Sequence, residues 1–249
     1  HSGAAGDLIY GLALVKKLGG GQFYLHLNQM NWVGQHYYGS LPAPFHRDRL
    51  NQQDFEYMRD FMLAQTYITG FDVYENQEVR WNLDRFRPLF ATHPGNYIDV
   101  YTRSFNITDP DLCREIRTEP WLSVPNPRVI DGRTVVINRS LRWLPPELSP
   151  QWHIWREQGL EQQSIFVGLE AEHTAFMQAT GWDIPWAETR TQLELAEVIA
   201  GSEAFIGNQS QALALAIGLG CNYACELRRD LPTERNECYF ADNPRGNYF

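Results

Sequence analysis

The stretch EAFIGNQSQALALAIGLGCNYACE, residues 203–226, reads as strand, tight turn, helix, turn and strand. Ala204, Phe205 and Ile206 form a short apolar run, and Gly207-Asn208-Gln209-Ser210 turns the chain. An alanine- and leucine-rich helix follows at once and stops at Gly218 to Gly220. Its first turn offers backbone N–H groups that no helical carbonyl accepts, at the positive end of the helix dipole. A diphosphate or a carboxylate fits such a place. His1-Ser2-Gly3-Ala4-Ala5-Gly6-Asp7 reads as a second turn of this kind. Two such turns predict two nucleotide-fold halves facing each other across a cleft.

Working outward, the second half alternates strand and helix. Residues 134–138 (TVVIN) and 164–168 (SIFVG) read as strands, 151–158 as a helix, and 172–178 as the start of another. Thr191-Gln192-Leu193-Glu194 has capping-box spacing and opens a helix to Ala200. A last strand falls at 222–225. This alternation predicts a parallel sheet covered on both faces. In the first half, residues 7–18 read as a helix with Leu8, Leu12 and Val15 on one face, closed by Gly19-Gly20-Gly21 before a strand at 22–27. That is a β-α-β rhythm if a strand precedes His1. Residues 28–47 are loop-like. Leu50 to Tyr67 reads as an amphipathic helix, with Phe55, Met58, Phe61 and Met62 at helical spacing. A short strand follows at 71–74. Residues 76–110 are less regular; Trp81, Phe86, Phe90 and Tyr97 read first as core and second as part of an acceptor pocket. Pro120, Pro125, Pro127 and Gly132 mark the domain boundary. The expected domains are 1–125 and 126–249, with the tail from about 228 crossing back.

The formal charge of −9 disfavours a general nucleic-acid coat, because phosphate contacts need clustered cations. A local stripe of Arg47, Arg49, Arg80, Arg85 and Arg87 is the exception that would revive such a partner. Lys16 and Lys17 are the only lysines, and arginine suits bidentate phosphate contacts. Cys113, Cys221, Cys225 and Cys238 form no C-x-x-C pair and no Cys/His ligand array. Free thiols in a reducing cytoplasm are expected, with no metal site. No apolar run reaches the length of a membrane span.

Ligands of parallel α/β sheets bind beyond the carboxyl ends of the strands. Four places qualify. At Gly3 to Asp7, with Gly6 closing the turn, Asp7 is either a helix cap or a general base. After 134–138, Arg139, Ser140 and Arg142 are either surface cations and their neighbour or a diphosphate cradle. After 164–168, Gly168 and Glu172 lie where an acid would meet ribose hydroxyls or the helix dipole. Gly207, Asn208, Gln209 and Ser210 would bind an anion or cap a helix, and Glu226 ends the last strand. G-x-S-x-G, H-E-x-x-H, G-K-[ST] and G-x-G-x-x-G are all missing, as is D-x-D near a strand end.

SGAAGDLIYGLALVKKL at the start, SIFVG with Glu172 and Phe176, and LAEVIAGSEAFIGNQSQALALAIGLG resemble the heptosyltransferase-like glycosyltransferases of family 9. The likeness covers about half of the chain; residues 28–125 carry little of it. The resemblance implies an α/β GT-B fold, with two Rossmann-like domains facing across a cleft. It implies an inverting, metal-independent transfer from a nucleotide diphosphate sugar, as co-substrate rather than cofactor, to an acceptor hydroxyl. Asp7 then corresponds to the base, Arg139 and Arg142 to donor-phosphate contacts, and Asn208 to Ser210 to the turn holding phosphate or sugar. The family usually has an acid in that turn, where this chain has Asn208. Acceptors consistent with the architecture are a glycan, a protein or, as in viral DNA-base glucosyltransferases, a hydroxymethylated base, which would point to a phage origin. A non-catalytic nucleotide-sugar binding module and a nucleotide-sugar epimerase are the contrasting readings.

Overall fold

The computed structural model describes residues 4–28, 50–90, 95–231, 236 and 238–249, and all of Phe90 except its side chain. Gly3, Arg47 and Arg49 lie outside the described residues.

The second half is a six-stranded, all-parallel sheet. Its strands are β3 (Val135–Asn138), β4 (Ser164–Val167), β5 (Trp186–Ala187), β6 (Ala204–Asn208), β7 (Asn222–Glu226) and β8 (Gly246–Tyr248). They lie in the order β5-β4-β3-β6-β7-β8. Counted from β3, this is the doubly wound dinucleotide-fold order 3-2-1-4-5-6. The order reverses between β3 and β6, and such sheets hold their ligands at that reversal. The first half contributes two described parallel strands, β1 (Gly21–Leu25) and β2 (Ile68–Val73).

Between β2 and β3 the chain is more helical than residues 76–110 suggested. A 3-10 turn spans Leu83–Phe86, and helices span Arg87–Phe90, Tyr97–Ser104 and Pro110–Thr118. The last of these carries a recognisable start: Asp109 accepts the Leu112 amide at 2.8 Å, and Pro110 sits in the first turn, where its missing N–H costs nothing. Asn96 likewise caps the Tyr97 helix through the Asp99 amide at 2.9 Å. These caps offset the poor helix preference of Ile98, Val100 and Thr102.

Two helices form the middle of the molecule: Ala5–Lys17, here α1, and Gln211–Leu219, the helix after β6. Residues 8–14 of α1 are all buried, as are residues 212–218 of the later helix. A helix apolar on every side is stable only when surrounded, and these two pack against each other. One buried cluster runs from Leu8 and Leu12 through Phe61 and Trp121 to Leu213 and Phe240. Residues 120–122 staple both helices. The Pro120 carbonyl accepts from Lys16 Nζ at 2.9 Å, and the Trp121 and Leu122 amides both donate to Gly218 O at 2.9 Å. A second cluster, around Trp152, Phe166, Phe176 and Trp182, fills the other face of the large sheet.

The tail returns as β8, an edge strand beside β7. Its approach touches the first half: the rings of Phe240 and Tyr10 lie 5.8 Å apart, and Arg117 bridges Asp99 at 2.7 Å and Asp242 at 2.5 Å.

Candidate active site

A cleft of about 540 Å³ opens where the central helices begin. It is lined by the first turn of α1 (Ala4 to Asp7) and by Gln209 to Ala212 at the start of the helix after β6. Leu169 and Glu172 add the first turn of a third helix, Glu170–Thr180. Several helix N-termini thus converge on one space, and each favours negative charge there. The two central helices nearly touch at its floor; a Cβ on Gly6 would stand 3.9 Å from Gln211 Cα.

Asp7 is an element of the lining, with its side chain 14 % exposed. Burial raises its carboxyl above the ordinary range. Arg87, a hydrogen bond from Tyr97, Arg142 and the Ala4 backbone pull it partly back. Arg87 Nη1 stands 3.8 Å from Asp7 Oδ2. A buried carboxylate kept more basic than usual, in the wall of a cavity, has the chemistry a general base needs. Ala4 holds the cap position of α1 without a side-chain bond, and Asp7 sits inside the first turn. Asp7 is therefore not the N-cap residue, although its carboxyl does hydrogen-bond the Ala4 backbone at the helix start.

The donor-side residues divide. Ser140, Arg142, Gly168, Glu172, Gln209 and Ser210 line the cleft beside Gly6 and Asp7. Arg139, Gly207, Asn208 and Glu226 lie off the lining. Arg139 Nε donates to Glu226 Oε2 at 2.6 Å, and the two residues are 6 % and 1 % exposed. Glu226 Oε1 also accepts from Trp152 Nε1 at 3.0 Å and Ser149 N at 3.2 Å. The charge of Arg139 is therefore spent inside the protein, tying the ends of β3 and β7 together. Strand-end position alone did not distinguish a cation facing a ligand from one facing a neighbouring strand.

Gly207 and Asn208 belong to β6 rather than to the turn: Gly207 is paired with both β3 and β7, and Asn208 with β7 opposite Glu226. Gly207 runs so close to the Asn138 carbonyl that a side chain has no room. Asn208 is fully buried and grips one residue twice: Ser140 N donates to its Oδ1 at 2.8 Å, and its Nδ2 donates to Ser140 O at 2.7 Å. This bridge spans the reversal of strand order and fixes the loop that carries Arg142. The second bond also gives a reason for asparagine here. A carboxylate would set an oxygen against the Ser140 carbonyl with no proton to donate.

Glu172 and Ser210 work as caps as well as wall. Glu172 accepts the Leu169 amide at 3.1 Å and the Leu141 amide at 3.4 Å; Ser210 Oγ accepts the Leu213 amide at 3.2 Å. Gly168 has φ +116°, and a Cβ there would meet Asn138 Nδ2 at 2.5 Å, so glycine is required beside the cleft. Gln209 Nε2 reaches Asn236 Oδ1 at 3.0 Å, joining the turn to the tail.

Several lining residues carried no motif. Asn138, the last residue of β3, carries the same strand-end signal as its successors Arg139, Ser140 and Arg142. Tyr10, Tyr57 and Tyr97 supply aromatic wall from the first half, and Trp143 supplies it from the second. Burial pushes the Tyr57 phenol up to about 12, with Glu194 adding to it, so the hydroxyl stays neutral near pH 7. Of the expected basic stripe, Arg80 and Arg85 lie over the rings of Trp81 and Phe105 at 5.0 and 5.2 Å, while Arg87 turns inward to Asp7. Among the described residues no group of three His, Cys, Asp or Glu could hold a metal ion, and no helix is long and apolar enough to cross a membrane.

No protein-family model and no curated protein matches the chain. Solved structures do. The parallel sheets, central helices and shared cleft define a mixed α/β protein of GT-B-like fold. That fold is the one found in a family 9 glycosyl transferase from Veillonella parvula, which aligns over 99 % of this chain and 84 % of its own, at TM-score 0.52 and 11 % identity. E. coli heptosyltransferase WaaC with ADP-2-deoxy-2-fluoro heptose aligns over 100 % of this chain and 90 % of its own, at TM-score 0.46 and 11 % identity. E. coli ADP-heptose lps heptosyltransferase II aligns over 98 % and 86 %, at TM-score 0.48 and 11 % identity.

Proposed function

We propose that this protein is an inverting, metal-independent glycosyltransferase that moves a sugar from a nucleotide diphosphate sugar to an acceptor hydroxyl. The carrying observation is that Asp7 and the Gln209–Ser210 turn, from opposite halves of the chain, line one cleft at the reversal of strand order. The shared fold with a family 9 glycosyl transferase supports the same reading. In it, residues 126–249 hold the donor and residues 1–125 present the acceptor. The diphosphate lies against the start of the Gln211 helix, with Arg142 and the converging helix ends meeting the charge of the leaving group. Asp7 takes the proton of the acceptor hydroxyl as oxygen attacks the sugar carbon. Attack from the face opposite the diphosphate inverts the anomeric centre. Arg139 and Glu226 brace the donor side from beneath.

The test is a panel of ADP-, UDP-, GDP- and dTDP-sugars, read first by thermal shift. A ligand at about a hundred times Kd adds roughly 2.7 kcal/mol to stability, or about 5–10 °C for a chain of this size. Product analysis with glycan acceptors then follows, for the parent and D7N. Binding with no transfer by the parent would turn the reading into a nucleotide-sugar binding module. Epimerised sugar without acceptor would turn it into an epimerase. Absence of any shift across the panel would refute it.

A further inference from the structure

We infer that Arg87, braced by Asp84, is the positioning residue that fixes the Asp7 carboxylate in the wall of the cleft. This rests on the reading of Asp7 as the base. The Arg87 side chain is 11 % exposed and constrained on several sides. Its Nε donates to Asp84 Oδ1 at 3.0 Å, its Cζ lies 4.8 Å from the centre of the Phe86 ring, and Nη1 reaches to 3.8 Å from Asp7 Oδ2. A guanidinium is a rigid fork, so fixing one edge aims the other. Asp84 is itself held, because Asn82 Oδ1 accepts its amide at 3.0 Å. The separation at Asp7 also matters. At 3.8 Å the cation favours the ionised carboxylate by charge rather than by a hydrogen bond to Oδ2.

The Tyr97–Ser104 helix holds Asp7 from its other side. Tyr97 hydrogen-bonds the carboxylate and stacks on Tyr10 at 4.9 Å and 8°. Tyr101 Oη donates to the Asp7 main-chain carbonyl at 2.9 Å, and its ring fits against Gly11, where a Cβ would stand 3.1 Å away. Among the described residues, the groups acting on the carboxylate include Arg87 and Tyr97 from these two sides, Arg142 from the second half, and the Ala4 backbone, with Tyr101 and, beyond Arg87, Asp84 close by. An Asp84–Arg87 pair at i,i+3 spacing would serve the local 3-10 turn equally well if the arginine pointed to solvent. The inward aim is what the local turn does not require.

The experiment is a 13C NMR titration of the Asp7 carboxyl in the full chain, compared among the parent, R87Q, R87K, D84N and the surface control R80Q. The Asp7 midpoint is expected to move upward in R87Q, to be largely restored in R87K, to move upward less in D84N, and to stay put in R80Q. Where a transfer reaction is in hand, the acid limb of kcat/KM should move with it. The rate at the foot of that limb falls about tenfold in R87Q and recovers at higher pH. An unmoved midpoint in folded R87Q overturns the inference; if R87Q does not fold, an unmoved midpoint in D84N does so. The titration needs no turnover. Failure of the glycosyltransferase reading would therefore appear as silence in the donor panel, and failure of this inference as an unmoved Asp7.

Discussion

Replacing Asn208 by aspartate changes almost no volume and removes one donor. In the parent, Nδ2 donates to Ser140 O at 2.7 Å in a place closed to solvent. Losing that donor leaves the carbonyl of half-buried Ser140 without its partner, a loss of about 1–3 kcal/mol. The incoming carboxylate oxygen would face the same carbonyl, and its poor solvation adds roughly 1–2 kcal/mol. The bond from Ser140 N is kept. The sum centres near 3 kcal/mol at pH 8, which is about 6–12 °C in Tm for a chain of this length. The deficit has a sign in pH. A protonated carboxyl can donate to Ser140 O and rebuild the pair, so the folded state raises the pKa of the new group. The stability tied to that proton is complete below the unfolded pKa, and it drains away as pH rises through the folded one. Thermal and urea melts of parent and N208D between pH 4 and pH 8 measure both quantities. Equal stability at pH 8 within about 0.5 kcal/mol, or a deficit that is largest in acid, would refute the reasoning.

D7N should lower transfer by about 10² to 10⁴ without lowering Tm at neutral pH. Burial raises the Asp7 pKa, so ionisation costs stability as pH rises through that pKa, and asparagine escapes the loss; a Tm below the parent at pH 8 would contradict this. E226Q breaks the pair with Arg139 and should cost about 3–5 kcal/mol in urea melts; a loss under about 1 kcal/mol would mean the pair is not the strut described. Iodoacetamide at pH 8, followed by mass spectrometry, should modify half-buried Cys113 before Cys221, whose thiol burial pushes up to about 11. Cys225 and Cys238, buried with their sulfurs 3.5 Å apart, should react last; early labelling of either would show the tail opening on that timescale.

Much of the architecture was readable because its signals are local. The alternation from Val135 onward, the glycines that end the Gln211 helix and the Thr191 cap all act within a few residues. Even there, the capping box is only half made. Thr191 Oγ1 takes the Glu194 amide, but Glu194 Oε2 takes Arg190 N at 2.7 Å instead of the cap residue's own amide. The helices between 83 and 118 were missed although Asp109-Pro110 announces one of them, because aromatic and β-branched residues masked the period. At the site, sequence supplied the strand ends and not their directions. Arg139 and Arg142 are equivalent in a one-dimensional reading. Only pairing of β7 with β6 brings Glu226 to Arg139 and leaves Arg142 at the cleft. Arg87 was legible only as one cation of a basic stripe, since its aim depends on Asp7, 80 positions earlier in the chain.

The contact between Gly6 and Gln211 has a mechanical consequence. The helix bearing Asp7 and the helix that starts at Gln211 are packed along buried leucines, so the span between Asp7 and Ser210 is a property of the core rather than of a hinge. Swinging the halves apart would strip Leu8, Leu12 and Leu213 from one another. A leucine-to-alanine change along that seam would therefore reach the spacing of Asp7 from Ser210 without touching the cleft lining.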